Sequence, residues 1–315
     1  MQTRTAAMPT PAIRPETVSV AVFAYNEEEG ISRALDHLLA CRDEADLVVH
    51  VLVNGCTDGT EAIVRARAAA DPAIRPVVIA RGDKANAWNV YVHEIAPLDV
   101  TAHVFTDGDM TVGTGSIAAF LRRFREVPEA DACAGVPETG RSRAELRRRI
   151  AEFGEMYGNL YALRGSWVAE VRRRGIRLPF GLFGEDGFVA SLVKSGLDPA
   201  SGFDKRRHTW AEDATFRFDE LSPANPRHWR IYRNRRMRYA VRWQQARMLW
   251  ALLCERGIEA MPAHVVDLYR RQQHLLTPRI NGLDTVFDWI ARRRIRRDIK
   301  ANDRVKEEER AHLYS

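Results

Sequence analysis

Short apolar runs that alternate with helical segments constrain the fold of this chain more than any other feature. Five such runs lie within the first 140 residues, at 18–24, 47–53, 76–80, 102–106 and 132–136. The segments between them carry apolar residues at helical spacing, as Ile31, Leu35, Leu38 and Leu39 do after the first run. Strands buried on both faces are apolar throughout, and strands that alternate with helices indicate βαβ units. The sequence therefore predicts an α/β fold with a mainly parallel sheet flanked by helices.

Polar loops follow four of these runs, where each predicted strand ends. They lie at residues 26–27, 54–60, 82–84 and 107–109. Parallel sheets bind ligands in the crevice beyond the carboxyl ends of their strands. We therefore expect the four loops to converge on one edge of the sheet and to form a single site there.

The most informative loop is Asp107-Gly108-Asp109, which directly follows a buried run. Side chains at i and i+2 of an extended segment point the same way, and a glycine permits a tight turn. Magnesium is usually held by one or two carboxylates together with phosphate oxygens and water. The motif predicts a divalent metal site at a sugar nucleotide; the alternative is a solvated surface turn. His208 is a candidate third metal ligand or a wall of the sugar pocket, with a surface histidine as the alternative.

The first three loops offer groups that suit a nucleotide. We expect Asn54 and Asp58 at the base and Glu27 at the ribose or the base, because both need amide or carboxylate partners. Asn26 and Asp58 have an alternative role as caps of the helices that follow them. Lys84, after the third run, is expected to screen a pyrophosphate.

The pattern changes in the second part of the chain, where residues 144–174 are predicted to form one long helix. A Gly-rich segment, 179–184, then leads into Glu185 and Asp186 at the start of another predicted helix. A carboxylate there suits a general base that takes a proton from an attacking hydroxyl. The alternative is that both residues simply favour the first turn of the helix. The local sequence does not select Asp186 over Glu185.

Opposite charge separates the two parts of the chain. Residues 1–140 contain 12 Lys and Arg against 20 Asp and Glu, a net −8, and the remainder contains 36 against 22, a net +14. The Arg cluster at 233–242 suits a phosphate-bearing donor or acceptor better than nucleic acid. The basic amphipathic segment 284–300 predicts either peripheral contact with an anionic membrane or, as we favour, packing on the body or on a second subunit.

Two further observations bear on location. No run of 18 apolar residues occurs, so the sequence predicts no membrane span. Four cysteines lie far apart without a C-x-x-C pair, which fits a reducing cytoplasm and indicates neither a zinc site nor a disulfide framework. We expect a cytoplasmic protein.

Together the motifs resemble those of inverting glycosyltransferases of family 2, which have the Rossmann-like GT-A fold. The matching segments occur in the family's order, as Ala24-Tyr25-Asn26-Glu27-Glu28, Asn54-Gly55-Cys56-Thr57-Asp58-Gly59-Thr60, Lys84-Ala85-Asn86, Thr106-Asp107-Gly108-Asp109 and Glu185-Asp186. The resemblance covers about residues 18–195, with a weaker tail to about residue 243. It implies a nucleoside-diphosphate sugar donor, most often UDP-linked, Mg or Mn held chiefly by Asp109, and Asp186 as the general base.

Departures from the family pattern qualify this expectation. Asn54-Gly55 stands where two aspartates are common, which would alter the contacts with the base. Residues 239–243, Tyr-Ala-Val-Arg-Trp, replace the Gln-x-x-Arg-Trp motif of the processive enzymes. Since the chain also lacks transmembrane runs, we expect a non-processive enzyme of the bacterial type.

We expect four parts along the chain: a disordered leader (1–17), a nucleotide-sugar-binding half (18–140), an acceptor-side half with the base (141–225) and a helical basic region (226–315). Rival interpretations are a sugar nucleotidyltransferase and a non-catalytic basic protein that binds nucleic acid or a membrane surface. The acidic loop 26–30 opposes the first rival, because a nucleotidyltransferase needs a Gly-rich, Arg-containing phosphate loop there.

Overall fold

An eight-stranded sheet forms the centre of the computed structural model, which describes residues 16–218 and 225–313. Its strands are β1 (Thr17–Ala24), β2 (Asp46–Asn54), β3 (Ile74–Ile79), β4 (Ala102–Asp107), β5 (Thr111–Val112), β6 (Ala132–Pro137), β7 (Leu160–Arg164) and β8 (His208–Arg217). Across the sheet they run in the order β3-β2-β1-β4-β7-β6-β8-β5. The predicted leader lies outside the described residues up to residue 15.

Strands β7 and β5 run antiparallel to their neighbours, while the other six strands share one direction. The prediction of a mainly parallel sheet is therefore confirmed. Strand β1 lies between β2 and β4, with Ala24 opposite Val53 and Phe23 opposite Asp107. The carboxyl ends of these three strands are level at one edge, where the polar loops begin.

Helices cover both faces of the sheet. They are α1 (Ile31–Leu39), α2 (Thr60–Ala70), α3 (Lys84–Val90), α4 (Ser116–Glu126), α5 (Arg143–Phe153), α6 (Gly165–Arg173), α7 (Glu185–Lys194), α8 (Pro226–Arg256), α9 (Val265–Gln272) and α10 (Leu283–Leu313). A π-helical turn, Tyr91–Ile95, continues α3. Helix α1 buries Ile31, Ala34, Leu35 and Leu38, the spacing expected of one helix face.

The prediction of a single helix over 144–174 is wrong. Helix α5 ends at Phe153, and strand β7 lies between α5 and α6. Gly154 has a left-handed backbone (φ 59°) and ends α5, a conformation that glycine adopts without steric cost. Residues 160–163 are buried because β4 and β6 flank them. Pairing in the sheet here outweighs a spacing of apolar residues that fits a helix equally well.

Two hydrophobic clusters fill the two faces of the sheet. In β1, Ala21 and Phe23 belong to one cluster, whereas Val20 and Val22 belong to the other, as the alternation of side chains along a strand requires. The first cluster also contains buried residues of α8 and α9. The C-terminal helices therefore share the core of the sheet, and α8 is held close to the edge where the loops meet.

Helix α10 packs on α8 through part of its predicted apolar stripe. Ile295 is fully buried, and Phe287 packs against Ala240 and Val241 of α8, whereas Ile290 is exposed. The favoured interpretation of this segment, packing on the body, agrees with these contacts. Within residues 16–218 and 225–313, no helix combines the length and the hydrophobicity that a membrane span requires.

Candidate active site

A cleft of 1440 Å³ opens where the carboxyl ends of β1, β2 and β4 meet the start of α7 and one face of α8. The predicted site residues that line it are Ala24, Tyr25, Glu27, Asn54, Lys84, Asp107, Asp109, Glu185 and Asp186. Four others, Asn26, Asp58, Gly108 and His208, do not line it. The structure thus brings the strand-end loops together with the second carboxylate pair, which lies far away in sequence.

Asp107 and Asp109 flank a glycine that packs directly on the end of β1. Gly108 N donates a hydrogen bond to Phe23 O at 2.8 Å. A Cβ on Gly108 would lie 3.1 Å from Phe23 O and 3.3 Å from Ala24 Cα, which is tighter than most side chains tolerate. The glycine therefore fixes the two aspartates against β1. Asp109 is exposed and also lines a smaller adjoining cavity of 350 Å³.

Lys84, the first residue of α3, links the two acidic segments. Its Nζ lies 2.5 Å from Asp107 Oδ1 and 3.1 Å from Glu185 Oε1. Burial disfavours the ammonium charge, but the carboxylates of Asp107 and Glu185 outweigh this effect and raise the pKa of Lys84 well above its usual value. A Cβ on Gly158 would lie 2.7 Å from Nζ, so the glycine leaves the space that the lysine occupies.

The strand-end carboxylates carry more negative charge than Lys84 neutralises. Burial and the charges of Asp109, Asp107 and Asp58 raise the pKa of Glu27 to about 7. Among the described residues, no group of three or more His, Cys, Asp or Glu side chains is arranged to hold a metal alone. Carboxylate oxygens do suit Mg²⁺ and Mn²⁺, which often complete their coordination with substrate phosphates. The residues present therefore fit a divalent cation that is bound together with a nucleotide.

Asp186 is held in the cleft by three contacts and is 8% exposed. Its Oδ2 accepts a hydrogen bond from Gly158 N at 2.8 Å, and its Oδ1 accepts one from Gly187 N at 2.7 Å. Arg242 Nη2 lies 3.3 Å from the same Oδ1. Glu185 is instead paired with Lys84, and burial raises the pKa of its carboxyl group. The two carboxylates therefore differ in partners, a distinction that the local sequence did not provide.

Two glycines allow Arg242 of α8 to reach Asp186. A Cβ on Gly184 would lie 2.1 Å from Arg242 Nε, and one on Gly187 would lie 2.3 Å from its Nη2. Gly184 also has a left-handed backbone (φ 73°) immediately before α7. Sequence reasoning noted the Arg cluster but missed this contact, because nothing in the local pattern reports a partner so distant in sequence.

Asn26 and Asp58 join the first two loops to each other instead of lining the cleft. Asn26 has φ 56°, and its Oδ1 accepts a hydrogen bond from Thr57 N at 2.8 Å. Asp58 Oδ2 accepts from Glu28 N at 3.1 Å, and its Oδ1 accepts from the first amide of α2, Thr60 N, at 3.1 Å. The capping alternative therefore applies to Asp58, whereas Asn26 bridges the loops.

Asp83 is a site residue that sequence reasoning missed. Its Oδ1 caps α3 by accepting a hydrogen bond from Asn86 N at 2.7 Å, and its Oδ2 accepts one from Gly181 N at 2.8 Å. Its own amide donates to Asn54 Oδ1 at 3.1 Å. One aspartate thereby ties β2, α3 and the Gly-rich segment together. An aspartate before a predicted helix is a recognisable cap signal, but its contact with Gly181 has no local signal.

His208 is not part of the site, contrary to the prediction that it ligates a metal. It begins β8, opposite Ala132 of β6, and is buried. Strands β8, β6 and β4 run the same way, so the amino end of β8 lies at the edge opposite Asp107. Burial and the charge of Lys194 lower the pKa of His208 to about 4, which keeps the imidazole neutral.

Comparisons with known proteins agree with this architecture. The mannosyltransferase PcManGT from Pyrobaculum calidifontis, solved with GDP-Man and Mn²⁺, superposes with a TM-score of 0.57 at 20% identity, over 92% of this chain and 77% of the other. Glucosyl-3-phosphoglycerate synthase from Mycobacterium tuberculosis, solved with Mn²⁺, UDP-glucose and phosphoglyceric acid, gives 0.50 at 17% identity, over 76% and 80%. These likenesses confirm the predicted GT-A fold.

A family match covers the part of the chain that carries the motifs. No curated protein sequence matches the chain closely enough to indicate a relative. Residues 19–189, more than half of the chain, match the model described as "Glycosyl transferase family 2". This range contains all but the first two residues of β1, the whole of β2 to β7 and both carboxylate pairs of the cleft. The chain therefore belongs to glycosyl transferase family 2.

Proposed function

We propose that this protein transfers a sugar from a nucleoside-diphosphate donor, with a UDP-sugar as the expected form, to an acceptor hydroxyl with inversion. The observation that carries the proposal is a single cleft in which Lys84 joins Asp107 to Glu185, with Asp109 and Asp186 on either side. Family membership supports sugar transfer, and the structures of two proteins of similar fold contain a nucleotide sugar and Mn²⁺.

The donor is assigned to the strand-end side of the cleft. Asn54 offers an amide for the base, although its Oδ1 already accepts from Asp83 N. Asp109, with Asp107 beside it, would hold Mn or Mg against the diphosphate. When bound, the cation neutralises charge that develops on the departing nucleoside diphosphate. The ammonium of Lys84 acts on the same charge from the protein, because a preorganised cation needs no rearrangement during the reaction.

The acceptor is assigned to the side of Asp186. Inversion requires one displacement, in which the hydroxyl oxygen bonds to the anomeric carbon as the bond to the diphosphate oxygen breaks. Asp186 takes the hydroxyl proton in this step. Its two backbone donors and Arg242 hold the carboxylate still, so that it need not be ordered as the reaction proceeds.

The test uses the purified full chain with a panel of nucleotide sugars and MnCl₂. We expect donor hydrolysis that requires the cation and a rise in melting temperature with UDP and Mn²⁺ together. Asp109→Ala should abolish both effects, whereas Asp186→Asn should remove turnover but keep the thermal shift. Asp99→Ala, an exposed carboxylate outside the cleft, is the matched control. Hydrolysis that persists in Asp109→Ala would contradict the assignment of the metal.

A further inference from the structure

One face of α8 presents alternating aromatic and basic side chains to the cleft. Tyr232, Arg235, Arg238, Tyr239 and Arg242 all line it. Spacings of three and four residues place these side chains on one helix face. Because this face belongs to the basic C-terminal region, it brings to the cleft a charge opposite to that of the strand-end loops.

Among the described residues, two of these arginines have no carboxylate partner. Arg242 is committed to Asp186, and on another side of the helix Arg236 pairs with Asp284 at 3.1 Å. No carboxylate among the described residues lies within ion-pair distance of Arg235 or Arg238. Residues 226–254 of α8 contain no Asp or Glu that could compensate them along the helix. Two guanidinium groups on neighbouring turns repel each other, and an anion between them would relieve this repulsion.

The acidic lining of the cleft lies on other elements. Glu27, Asp107 and Asp109 come from the ends of β1 and β4, where the donor diphosphate is assigned together with its cation and Lys84. Helix α8 instead reaches Asp186 through Arg242, so its arginines lie on the acceptor side of the cleft. Arg235 and Arg238 therefore offer an anionic acceptor positive charge that the ion pairs of Lys84 and Arg242 with the cleft carboxylates do not already use.

We propose that the acceptor carries a phosphate ester, which Arg235 and Arg238 bind while Asp186 receives the reacting hydroxyl. This inference rests on the proposed function and names the acceptor class for it. A phosphate monoester carries close to two negative charges at neutral pH and accepts paired hydrogen bonds from guanidinium groups. Arg235 and Arg238 together carry two positive charges, which match the charge of the phosphate group.

The helix also sets the spacing within the acceptor. Arg238 and Arg235 lie four and seven residues before Arg242, or about 6 and 10 Å along the axis. A phosphate group held by both guanidinium groups would therefore lie about one to two helical turns, measured along α8, from the hydroxyl that Asp186 activates. Tyr239, which is 58% exposed beside these arginines, offers a ring face for the body of the acceptor to pack against.

The experiment measures acceptor binding by calorimetry, with the full chain saturated with UDP and Mn²⁺. The probes are glucose 6-phosphate and glycerol 3-phosphate, each compared with its uncharged parent, together with inorganic phosphate. We expect the phosphate compounds to bind and the parents not to bind. Arg235→Ala and Arg238→Ala should each weaken this binding about ten- to hundredfold, the value of a charged hydrogen bond. Arg230→Ala, which changes an exposed arginine of the same helix outside the cleft, is the control and should retain this binding.

A second arm distinguishes a soluble ester from a lipid headgroup. Phosphatidylcholine vesicles with and without phosphatidic acid replace the soluble probes in a pelleting assay. The proposal is supported if phosphate probes bind in either arm and if Arg235→Ala and Arg238→Ala both weaken that binding. Failure of all phosphate probes in both arms overturns it. An equal loss of UDP affinity in the two variants also overturns it, because the arginines would then serve the donor.

Donor hydrolysis separates this inference from the function on which it rests. Mn²⁺-dependent hydrolysis of a nucleotide sugar without binding of any phosphate probe contradicts the acceptor class alone. Phosphate binding without hydrolysis of any nucleotide sugar contradicts the proposed function and leaves an anion site on α8.

Discussion

Glycines in the cleft determine where its cationic side chains lie. Gly158 leaves the space that Lys84 Nζ occupies, and Gly184 leaves the space of the Arg242 guanidinium. Each cation contacts one of the carboxylates assigned to chemistry, Lys84 at Asp107 and Arg242 at Asp186. At the scale of single residues, the absence of a side chain is thus as informative about the site as the presence of a charged one.

Replacing Gly184 by alanine should lower the turnover rate strongly but the melting temperature only slightly. The left-handed backbone makes alanine cost about 1 kcal/mol, and the new Cβ would displace the Arg242 guanidinium from Asp186. We therefore expect a melting temperature a few degrees lower and a loss of turnover of about tenfold or more, since a misplaced base is costly. The melting temperature and the turnover rate are measured on the same protein preparation.

Gly175 provides the matched control for this prediction. Its backbone has φ 64°, yet a Cβ there would meet nothing within 4 Å. Gly175→Ala should lose comparable stability without the loss of turnover. Equal turnover in the two variants would show that the contact between Arg242 and Asp186 does not matter for the reaction.

Among the helices and strands, the sequence predicts those features that depend on a local pattern of residues. Asp107 and Asp109 were found because an apolar run ends at them, and β4 ends there in the structure. Strand β7 was missed because its apolar residues also fit a helix. Only its pairing with β4 and β6 makes this segment a strand. The contact of Arg242 with Asp186 depends on where α8 lies relative to the start of α7, which no periodicity records. His208 was placed wrongly for the same reason, since its position follows from the direction of β8.

One buried carboxylate anchors the first turns of helix α10. Asp288 is fully buried and accepts hydrogen bonds at 2.8 Å from Arg279 N, Nε and Nη2. Asp288→Ala leaves these donors without their acceptor and should cost about 3 kcal/mol. We expect faster hydrogen exchange in α10, measured by mass spectrometry, while the sheet stays protected.

Asp298 of the same helix is the control for that substitution. It lies 3.9 Å from the nearest atoms of Arg294 and Arg297 and is partly exposed. Such a pair contributes less than about 1 kcal/mol, so Asp298→Ala should leave exchange in α10 nearly unchanged. Equal exchange in the two variants would mean that Asp288 does not anchor the helix.

On the scale of the whole molecule, the charge asymmetry of the sequence becomes a cleft with two differently charged sides. The acidic part supplies the carboxylates at the ends of β1 and β4, and the basic part supplies the arginines of α8. The sequence predicted both charges and suggested a phosphate-bearing partner. It could not predict that they face one cleft, because that depends on packing of the C-terminal helices against the sheet.

Three buried histidines make the stability of the whole molecule depend on pH. Burial and Arg75 lower the pKa of His50 to about 4, and burial and Arg172 lower that of His103 to about 3. His208 is lowered to about 4. The Tyr91 hydroxyl lies 2.8 Å from His103 Nδ1 and donates to Ser19 Oγ, which lies 3.2 Å from His50 Nδ1. All three imidazoles are therefore neutral in the folded protein at neutral pH.

Acid should destabilise the fold through these histidines. Below about pH 6.5 each of these histidines binds a proton in the unfolded chain but not in the folded one, so its contribution to the free energy of unfolding falls as pH falls, down to its folded pKa. Each histidine should remove about 2 kcal/mol between pH 7.5 and pH 5, measured by urea denaturation. His103→Asn should be less stable at pH 7.5 but should lose about 2 kcal/mol less over the same interval. His274→Gln, which changes an exposed histidine, should follow the parent curve, and a His103→Asn curve parallel to both would exclude protonation of His103 as a cause.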